Sequence, residues 1–466
     1  MERILEDLKD RKICVLGMGI SNLPLIRYLC RKGANRLWVL DRSDSEETAE
    51  KARALQSEGL AFTACFGPGY LDILREERFD LIFKTPVVRH DLPELLYAQE
   101  QGALITSEME VFLQLCPARI YGVTGSDGKT TTTTLIYKFL EAFCRGSDAR
   151  VWVGGNIGTP LLQYVEEMKP EDYVVVELSS FQLMTLKSRL DVAVITNISP
   201  NHLDVHKSYE EYIDAKKNIF LYGDKDCLTV LNADNAVTSA LGCLVPGSIR
   251  WFSRHKEVSP GVFLRGTELV SERGNVLSTR DILLPGAHNI ENYMAAICAV
   301  EDLIPVSCIT EIARSFGGVE HRMELVRELN GVRYYNSSID SSPNRTLNAL
   351  SIFQGNVVLI AGGKDKKIPY DALGPALADK VKTLILTGPT ADKIEQAARD
   401  EFAKRGQEFG IEVIRVADYE EAVSAAHAAA KPGDTVLLSP ASTSFDMFRN
   451  FEERGNTYKQ LVSMLK

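Results

Sequence analysis

Short, unbroken apolar runs recur along this chain, separated by stretches in which apolar residues return every three or four positions. Runs of the first kind predict strands buried on both faces, and stretches of the second predict helices laid over them. Lys12–Leu16, Leu37–Leu40 and Leu81–Lys84 come first. Ala118–Val123, Tyr173–Val176 and Val192–Thr196 follow, and Cys227–Leu231 and Val262–Leu264 lie in a turn-rich stretch, 225–282. Leu325–Val326, Val332–Asn336, Val357–Ala361, Thr383–Leu386, Glu412–Val416 and Thr435–Leu438 complete the series. Strands alternating with helices predict an α/β protein built on doubly wound parallel sheets. The pattern restarts near residues 105–112 and again near Phe316-Gly317-Gly318, which predicts domains at 1–108, 109–316 and 317–466.

Composition narrows the classes. A chain of 466 residues, 45% apolar and 25% charged, is that of an ordinary globular protein with several cores. A formal charge of −10 argues against a general nucleic-acid binder, yet a cleft can still be locally basic. Nine scattered cysteines with no Cys-x-x-Cys read as reduced thiols, and hence a cytoplasmic setting. No apolar run is long enough to cross a bilayer, and the opening residues lack the apolar core of a signal peptide.

The chemistry gathers where strands end. Ile120-Tyr-Gly-Val-Thr-Gly-Ser-Asp-Gly-Lys-Thr-Thr-Thr132 joins a buried strand to a helix through a glycine turn. Gly125 and Gly128 let backbone N–H groups converge on an anion, and the helix start adds its partial positive charge. Lys129 is placed to reach the outer phosphates and Thr130 to offer its hydroxyl to Mg2+. Ser126, Asp127 and Thr131 complete the loop. Walker spacing asks for a glycine where Val123 stands, and Gly122 is one place off. Glu177, closing the strand Tyr173–Val176, suits a second Mg2+ ligand, although a carboxylate there also suits a helix start. Gly154-Gly-Asn-Ile-Gly158 reads as a loop before a helix. His202 stands just past a strand end. Lys216 and Lys217, side by side on a helix, read by spacing as a solvated pair.

Gly17-Met-Gly19-Ile-Ser21-Asn22 follows the first strand, and Asp41 closes the second. This is a dinucleotide-type turn with Asn22 in place of the third glycine, so its content is a βαβ unit with an anion-binding turn. A tight structural turn is the plainer reading. Thr85-Pro86-Val87-Val88 lies at another strand end, where such sheets take ligands. Asn289 and Asn292 share one face of a helix start; they suit an adenine edge, or Asn289 a helix cap.

Thr124-Gly-Ser-Asp-Gly-Lys-Thr130, Glu177-Leu-Ser-Ser-Phe-Gln182, Asn201-His-Leu-Asp204, Lys216, Gly286-Ala-His-Asn-x-x-Asn292 and His321-Arg322 together resemble, in order and over the whole chain, the Mur ligase family. The stretch Leu438–Gly455 is similar to the member that adds D-glutamate. The resemblance implies a UDP-binding Rossmann-like domain, a central P-loop ATPase-like domain and a C-terminal Rossmann-like domain. It implies ATP and two Mg2+ ions, with UDP-N-acetylmuramoyl-L-alanine and D-glutamate as substrates, joined through an acyl phosphate in peptidoglycan precursor synthesis by a monomer. It makes Lys129, Glu177, His202 and Lys216 catalytic, Lys216 as a carbamate that ligates Mg2+ with Glu177 and His202. It assigns Asn289 and Asn292 to adenine, and Arg322 to the ATP phosphates. Ser341, Lys366, Ser444, Phe445 and Phe451 fall to D-glutamate, although core packing is the plain alternative for both phenylalanines. Gly19, Ile20, Ser21, Asp41 and Arg42 fall to the uridine diphosphate, and Asn156 to the muramoyl side.

The chain departs from the family at Asn336-Ser-Ser-Ile-Asp-Ser341, where an acid is replaced by Ser337 and a lysine by Ile339. Thr85-Pro86-Val87 lacks a loop glycine. The nearest alternatives are a sister ligase or a folylpolyglutamate-synthase-like ligase for another amino acid. The Gly-x-Gly first domain and the absence of Asp-Asn-Pro-Arg argue against these. A non-catalytic nucleotide-binding regulator is opposed by the intact Glu177, His202 and Lys216, and an NAD oxidoreductase by the missing third glycine.

Overall fold

The computed structural model describes residues 5, 7–201, 205–284, 286–365 and 368–466, and the statements below concern these residues. They form two compact units. Residues 1–282 with 287–314 make the first, and 283–286 with 315–466 the second.

The first unit carries two sheets. In one, β1 (Lys12–Leu16), β2 (Arg36–Asp41), β3 (Thr63–Phe66), β4 (Leu81–Lys84) and β5 (Leu104–Thr106) lie in the order β3-β2-β1-β4-β5, all parallel. Alternate residues of β1 face opposite ways. Ile13 and Val15 join Leu25, Ile26 and Leu29 of the helix Asn22–Arg31. Cys14 and Leu16 join Leu74, Phe79 and Leu95 on the other side. Burial on both faces is what a continuous apolar run requires.

The other sheet comprises β6 (Arg119–Thr124), β7 (Val151–Gly155), β8 (Tyr173–Glu177), β9 (Val192–Ile195), β10 (Leu228–Asn232), β11 (Ser248–Ser253), β12 (Gly261–Arg265), β13 (Glu268–Ser271) and β14 (Gly274–Ser278). Their order is β14-β13-β12-β11-β10-β9-β6-β8-β7, with only β12-β13-β14 antiparallel. Strand β6 sits between β8 and β9, where the winding reverses, so the loop after it opens at the switch point. Val151–Gly155, whose second half reads in sequence as a loop, is the edge strand β7. A 3-10 turn, Leu161–Tyr164, stands where a helix is expected after it.

In the second unit, β15 (Glu324–Leu329), β16 (Val332–Asn336), β17 (Val357–Gly362), β18 (Val381–Thr387), β19 (Glu412–Arg415) and β20 (Thr435–Leu438) run in the order β15-β16-β20-β17-β18-β19. Only β15 is antiparallel. Leu359, Leu384 and Leu437 pack on one face, and Val358, Ile360, Ile385 and Val436 on the other. All nine cysteines are unpaired. Among the described residues no helix is long and apolar enough to cross a membrane.

Candidate active site

The turn after β6 meets its helix, Lys129–Phe143, at Gly128, whose φ of +77° caps the helix in the left-handed region. A side chain at Gly128 would be strained by that φ and would also lie 2.2 Å from Oδ1 of Asn292. Asn292 accepts from the Thr132 hydroxyl at 3.3 Å and donates to Asn289 Oδ1 at 3.1 Å. The helix Ala287–Val300 thus brings both buried asparagines against the phosphate loop.

Inside the loop, Lys129 folds back, its Nζ donating to the carbonyls of Gly125 (2.9 Å) and Ser126 (3.0 Å). Ser126 is buried, and Asp127 stands exposed at the tip. Thr130 and Thr131 are half-buried on the first helical turn. The residues after β9 hold the loop in place. The Ser126 amide donates to the Asn197 carbonyl, the Asp127 amide to Asn197 Oδ1, and the Thr196 hydroxyl to the Asp127 carbonyl at 2.5 Å. Sequence patterning gives Thr196 and Asn197 no signal beyond their place at a strand end.

Glu177 ends β8 beside Val123 of β6 and is 1% exposed. Its Oε1 accepts from Asn156 Nδ2 at 2.8 Å, and its Oε2 is buried with no hydrogen-bond partner. The Asn156 amide also donates to the Glu177 carbonyl. Gly155, at φ +95°, lets that crossing happen, because a Cβ there would lie 2.2 Å from the Glu177 carbonyl oxygen.

Lys216 contradicts the solvated reading of its helix, Tyr209–Leu221. It is 1% exposed, and its Nζ donates to the Gly125 carbonyl at 2.7 Å and to Thr124 Oγ1 at 3.3 Å. It also lies 4.6 Å from the centre of the Tyr212 ring. Burial, then repulsion from Lys129, drives its pKa well below the usual lysine range, and Asp127 and Glu177 offset part of this. Lys217 pairs with Asp214 at 2.5 Å. His202 lies outside the described residues. Four residues on, the buried His206 bonds Ser180 Oγ through Nε2 at 2.9 Å, lies 3.4 Å from Glu211 and stacks on Phe181. Among the described residues no group of three or more His, Cys, Asp or Glu could hold a metal.

At the first sheet's rim, Gly19 and Ile20 are exposed, Ser21 is half-buried before the helix, and Arg42 is exposed. Asp41 is committed to the turn, accepting from the Met18 amide at 2.6 Å and the Ser43 amide at 2.8 Å. Asn22 explains the missing glycine. Its buried amide donates to the carbonyls of Leu16 and Gly17, both at 2.9 Å, and fixes the turn.

In the second unit, Arg322 is half-buried and within electrostatic reach of the buried Asp340. Burial pushes the Asp340 carboxyl up, against hydrogen bonds from Ser337 and Ser439, the latter at 2.8 Å. Ser341 bonds the Ile339 carbonyl. Ser444 is buried, but Phe445 is 61% exposed, so core packing is not its role. Phe451 is half-buried, edge-on to His321. Lys366 lies outside the described residues. Arg454, which carries no signal in the sequence pattern, is 1% exposed. It donates to the Ser338 hydroxyl and carbonyl and to the Ser442 carbonyl, tying the loop after β16 to the loop after β20.

The first unit therefore gathers a glycine-bounded loop at a helix start, two lysine side chains, a buried carboxylate and an amide pair on one rim. A profile described as the Mur ligase middle domain matches residues 123–300, and one described as the Mur ligase glutamate ligase domain matches 321–442. The chain is 51% identical to a UDP-N-acetylmuramoylalanine–D-glutamate ligase of Ruminiclostridium cellulolyticum, covering 100% of this chain and 99% of the relative. It is 50% identical to one of Acetivibrio thermocellus, covering 98% and 97%. A solved pseudomurein peptide ligase type C from Methanothermus fervidus matches 98% of this chain and 100% of its own with a TM-score of 0.52; at 20% identity this speaks to the fold alone. Shared end to end at about one residue in two, the likeness settles descent: this chain belongs to the Mur ligase family.

Proposed function

We propose that this chain is an ATP-dependent ligase that adds D-glutamate to UDP-N-acetylmuramoyl-L-alanine, a step in peptidoglycan precursor synthesis. One observation carries the reading. A phosphate-type loop shares its rim with the buried Glu177 and Lys216, in a chain about half identical over its whole length to ligases of that name. A carboxylate is a poor acylating agent. Transfer of the γ-phosphoryl group of ATP to the alanyl carboxylate makes an acyl phosphate, whose carbonyl the amine of D-glutamate attacks, expelling phosphate. No covalent nucleophile on the protein is needed; the work is positioning and charge neutralisation. Two unit charges 4 Å apart repel by about 4 kcal/mol at an effective permittivity of 20, about a thousandfold in rate. Lys129 and the amides of Gly125 and Gly128 answer that repulsion at the phosphates, while Asn197 holds the Ser126 and Asp127 amides. Asn289 and Asn292 hold the adenine edge, and Arg322 the phosphates.

Mg2+ fits the donors present. Glu177 Oε2 is a buried carboxylate oxygen without a partner, and Thr130 offers a hydroxyl on the first helical turn. Glu177, Thr130, His202 and Lys216 would hold two ions, which supply charge neutralisation at the phosphates. Lys216 serves only as a carbamate, since an ammonium repels a cation. Carbon dioxide adds only to an unprotonated amine, and burial drives Lys216 toward that form.

The uridine diphosphate is assigned to Gly19, Ile20, Ser21, Asp41 and Arg42, and the muramoyl side to Asn156. D-Glutamate goes to Ser341, Lys366, Ser444, Phe445 and Phe451. In this reading residues 1–108 and 317–466 are Rossmann-like domains flanking a P-loop domain at 109–316, and the protein acts as a cytoplasmic monomer. Phosphate release from ATP tests the function. It is expected to require both UDP-N-acetylmuramoyl-L-alanine and D-glutamate. Release that ignores D-glutamate, or prefers another amino acid, overturns the assignment.

A further inference from the structure

Lys84 is the last residue of β4 and is 3% exposed. It stands across from Leu16, the last residue of β1, in the parallel register. In this sheet β1 has β2 on one side and β4 on the other, so these two strand ends flank the point where the winding reverses. Open α/β sheets take their ligands there. The loops that leave the two strands are in close approach, since a Cβ on Gly17 would lie 2.6 Å from Thr85 Cγ2.

No carboxylate among the described residues lies within salt-bridge distance of Lys84. Its one hydrogen bond is long, 3.4 Å to the carbonyl of its own neighbour Thr85. The charged groups that bear on it are of its own sign. Arg89 repels it, and its own charge in turn disfavours protonation of His90. Arg89 is already spent on Asp91 and Glu211. His90 keeps a buried Nδ1 without a partner. Burial and Arg89 push the lysine down to about 8, so at neutral pH it still carries its charge most of the time. A buried cation without a counter-ion is costly to the fold. Such a residue marks a place where the missing charge arrives with a ligand.

We infer that Lys84 binds the diphosphate of the UDP-substrate, supplying its counter-charge at the switch point of the first sheet. This rests on the substrate reading above and adds to it a residue outside the glycine turn. The turn Gly17–Ser21 opens the helix Asn22–Arg31, whose N-terminus favours phosphate, and Lys84 ends the adjacent strand β4 in register with Leu16, on the sheet face opposite that helix. A diphosphate held between the two completes the charge balance on both.

Calorimetric titration with UDP, which has the diphosphate but no carboxylate, tests this in the full chain. Lys84→Met and Lys84→Gln are each expected to weaken UDP binding ~10-fold or more, the worth of a charge-assisted hydrogen bond. In turnover they raise KM for the UDP-substrate and leave KM for ATP and D-glutamate within about twofold. Both variants are expected to raise the Tm of the ligand-free protein, because a buried charge with no counter-ion among the described residues is gone. This opposite movement of binding and stability separates a ligand-binding role from a structural one. Unchanged UDP affinity in the variants overturns the proposal, including the case in which only the full substrate binds more weakly and the contact is its carboxylate. A lowered Tm with unchanged KM also overturns it. If the unaltered chain takes up no UDP, the substrate reading itself falls and the proposal with it.

Discussion

The side-chain nitrogen of Lys216 lies 2.7 Å from the carbonyl oxygen of Gly125, so this buried group, with the Tyr212 hydroxyl 3.0 Å from Ser126 Oγ, fastens the helix after β9 to the phosphate loop. Lys216→Ala is expected to lower kcat ~100-fold or more, as removal of a preorganised charged group does. Small carboxylates such as acetate, entering the space left, are expected to restore part of the turnover. Turnover of the variant equal to that of the unaltered chain would refute the role.

Asn156 and Glu177 make a second test. The Asn156 amide donates to Glu177 Oε1 at 2.8 Å. Asn156→Asp sets two carboxylates face to face, and like charges that close raise one of the two pKa values. Turnover at pH 8 is expected to fall ~10-fold or more. It should recover partly as the pH drops and one carboxyl takes up a proton, again becoming a donor. A flat loss across the pH range would show that the pair does not act this way.

Glu108 gives a pH prediction for the fold. It is 6% exposed, it has one oxygen without a partner, and burial pushes its carboxyl up to about 8 although the Leu162 amide bonds it. Between about pH 4.5 and 8 the folded chain keeps a proton that the unfolded chain has lost. Its contribution is therefore present in full below about 4.5 and is lost as the pH rises toward 8. Glu108→Gln, neutral and of the same shape, is expected to flatten that fall and to be more stable by about 2–4 kcal/mol at pH 8. Urea unfolding at a series of pH values measures it; parallel curves for the two proteins would rule it out.

Arg89 joins a loop of the first sheet to the helix that carries Lys216. Its fork meets Asp91 at 2.8 and 3.0 Å and Glu211 at 2.7 and 3.3 Å, and one nitrogen reaches the Val205 carbonyl. The arginine holds the Asp91 carboxyl well below the usual range and lowers that of Glu211. Both partners are about one-fifth exposed, so the pair is screened less than a surface bridge. A double-mutant cycle on Arg89→Ala and Glu211→Ala is expected to give a coupling of about 1–2 kcal/mol. Additive losses would deny the connection.

Much of the site was legible because strand ends and glycine turns announce themselves. The cores of the central strands stand out as runs buried on both faces, and the phosphate loop follows one of them. Both edges of the second unit's sheet showed as Leu325–Val326 and Glu412–Val416, but edge strands of the first unit did not. Thr63–Phe66 is largely open to solvent, and Val151–Gly155 ends in two glycines, so neither offers a continuous apolar run. Lys216 carried a signal that pairing it with Lys217 hides. Tyr212, Ala215, Ile219 and Phe220 form the buried stripe of its helix, and position 216 falls within it. His206 and Arg454 had no such signal, because what fixes them is contact with residues distant in sequence: Ser180 for one, Ser338 for the other.

Gly155 sets a limit on how the turn that carries Asn156 can be varied. At a positive φ and with a Cβ falling 2.2 Å from the Glu177 carbonyl oxygen, any side chain there has to push the carboxylate strand aside. If Asn156 meets the muramoyl side as proposed, a mutant library meant to retune the enzyme for unnatural sugar nucleotides should leave position 155 fixed. It should draw its diversity from Ile157 and Thr159, which the same turn leaves at least partly open to solvent.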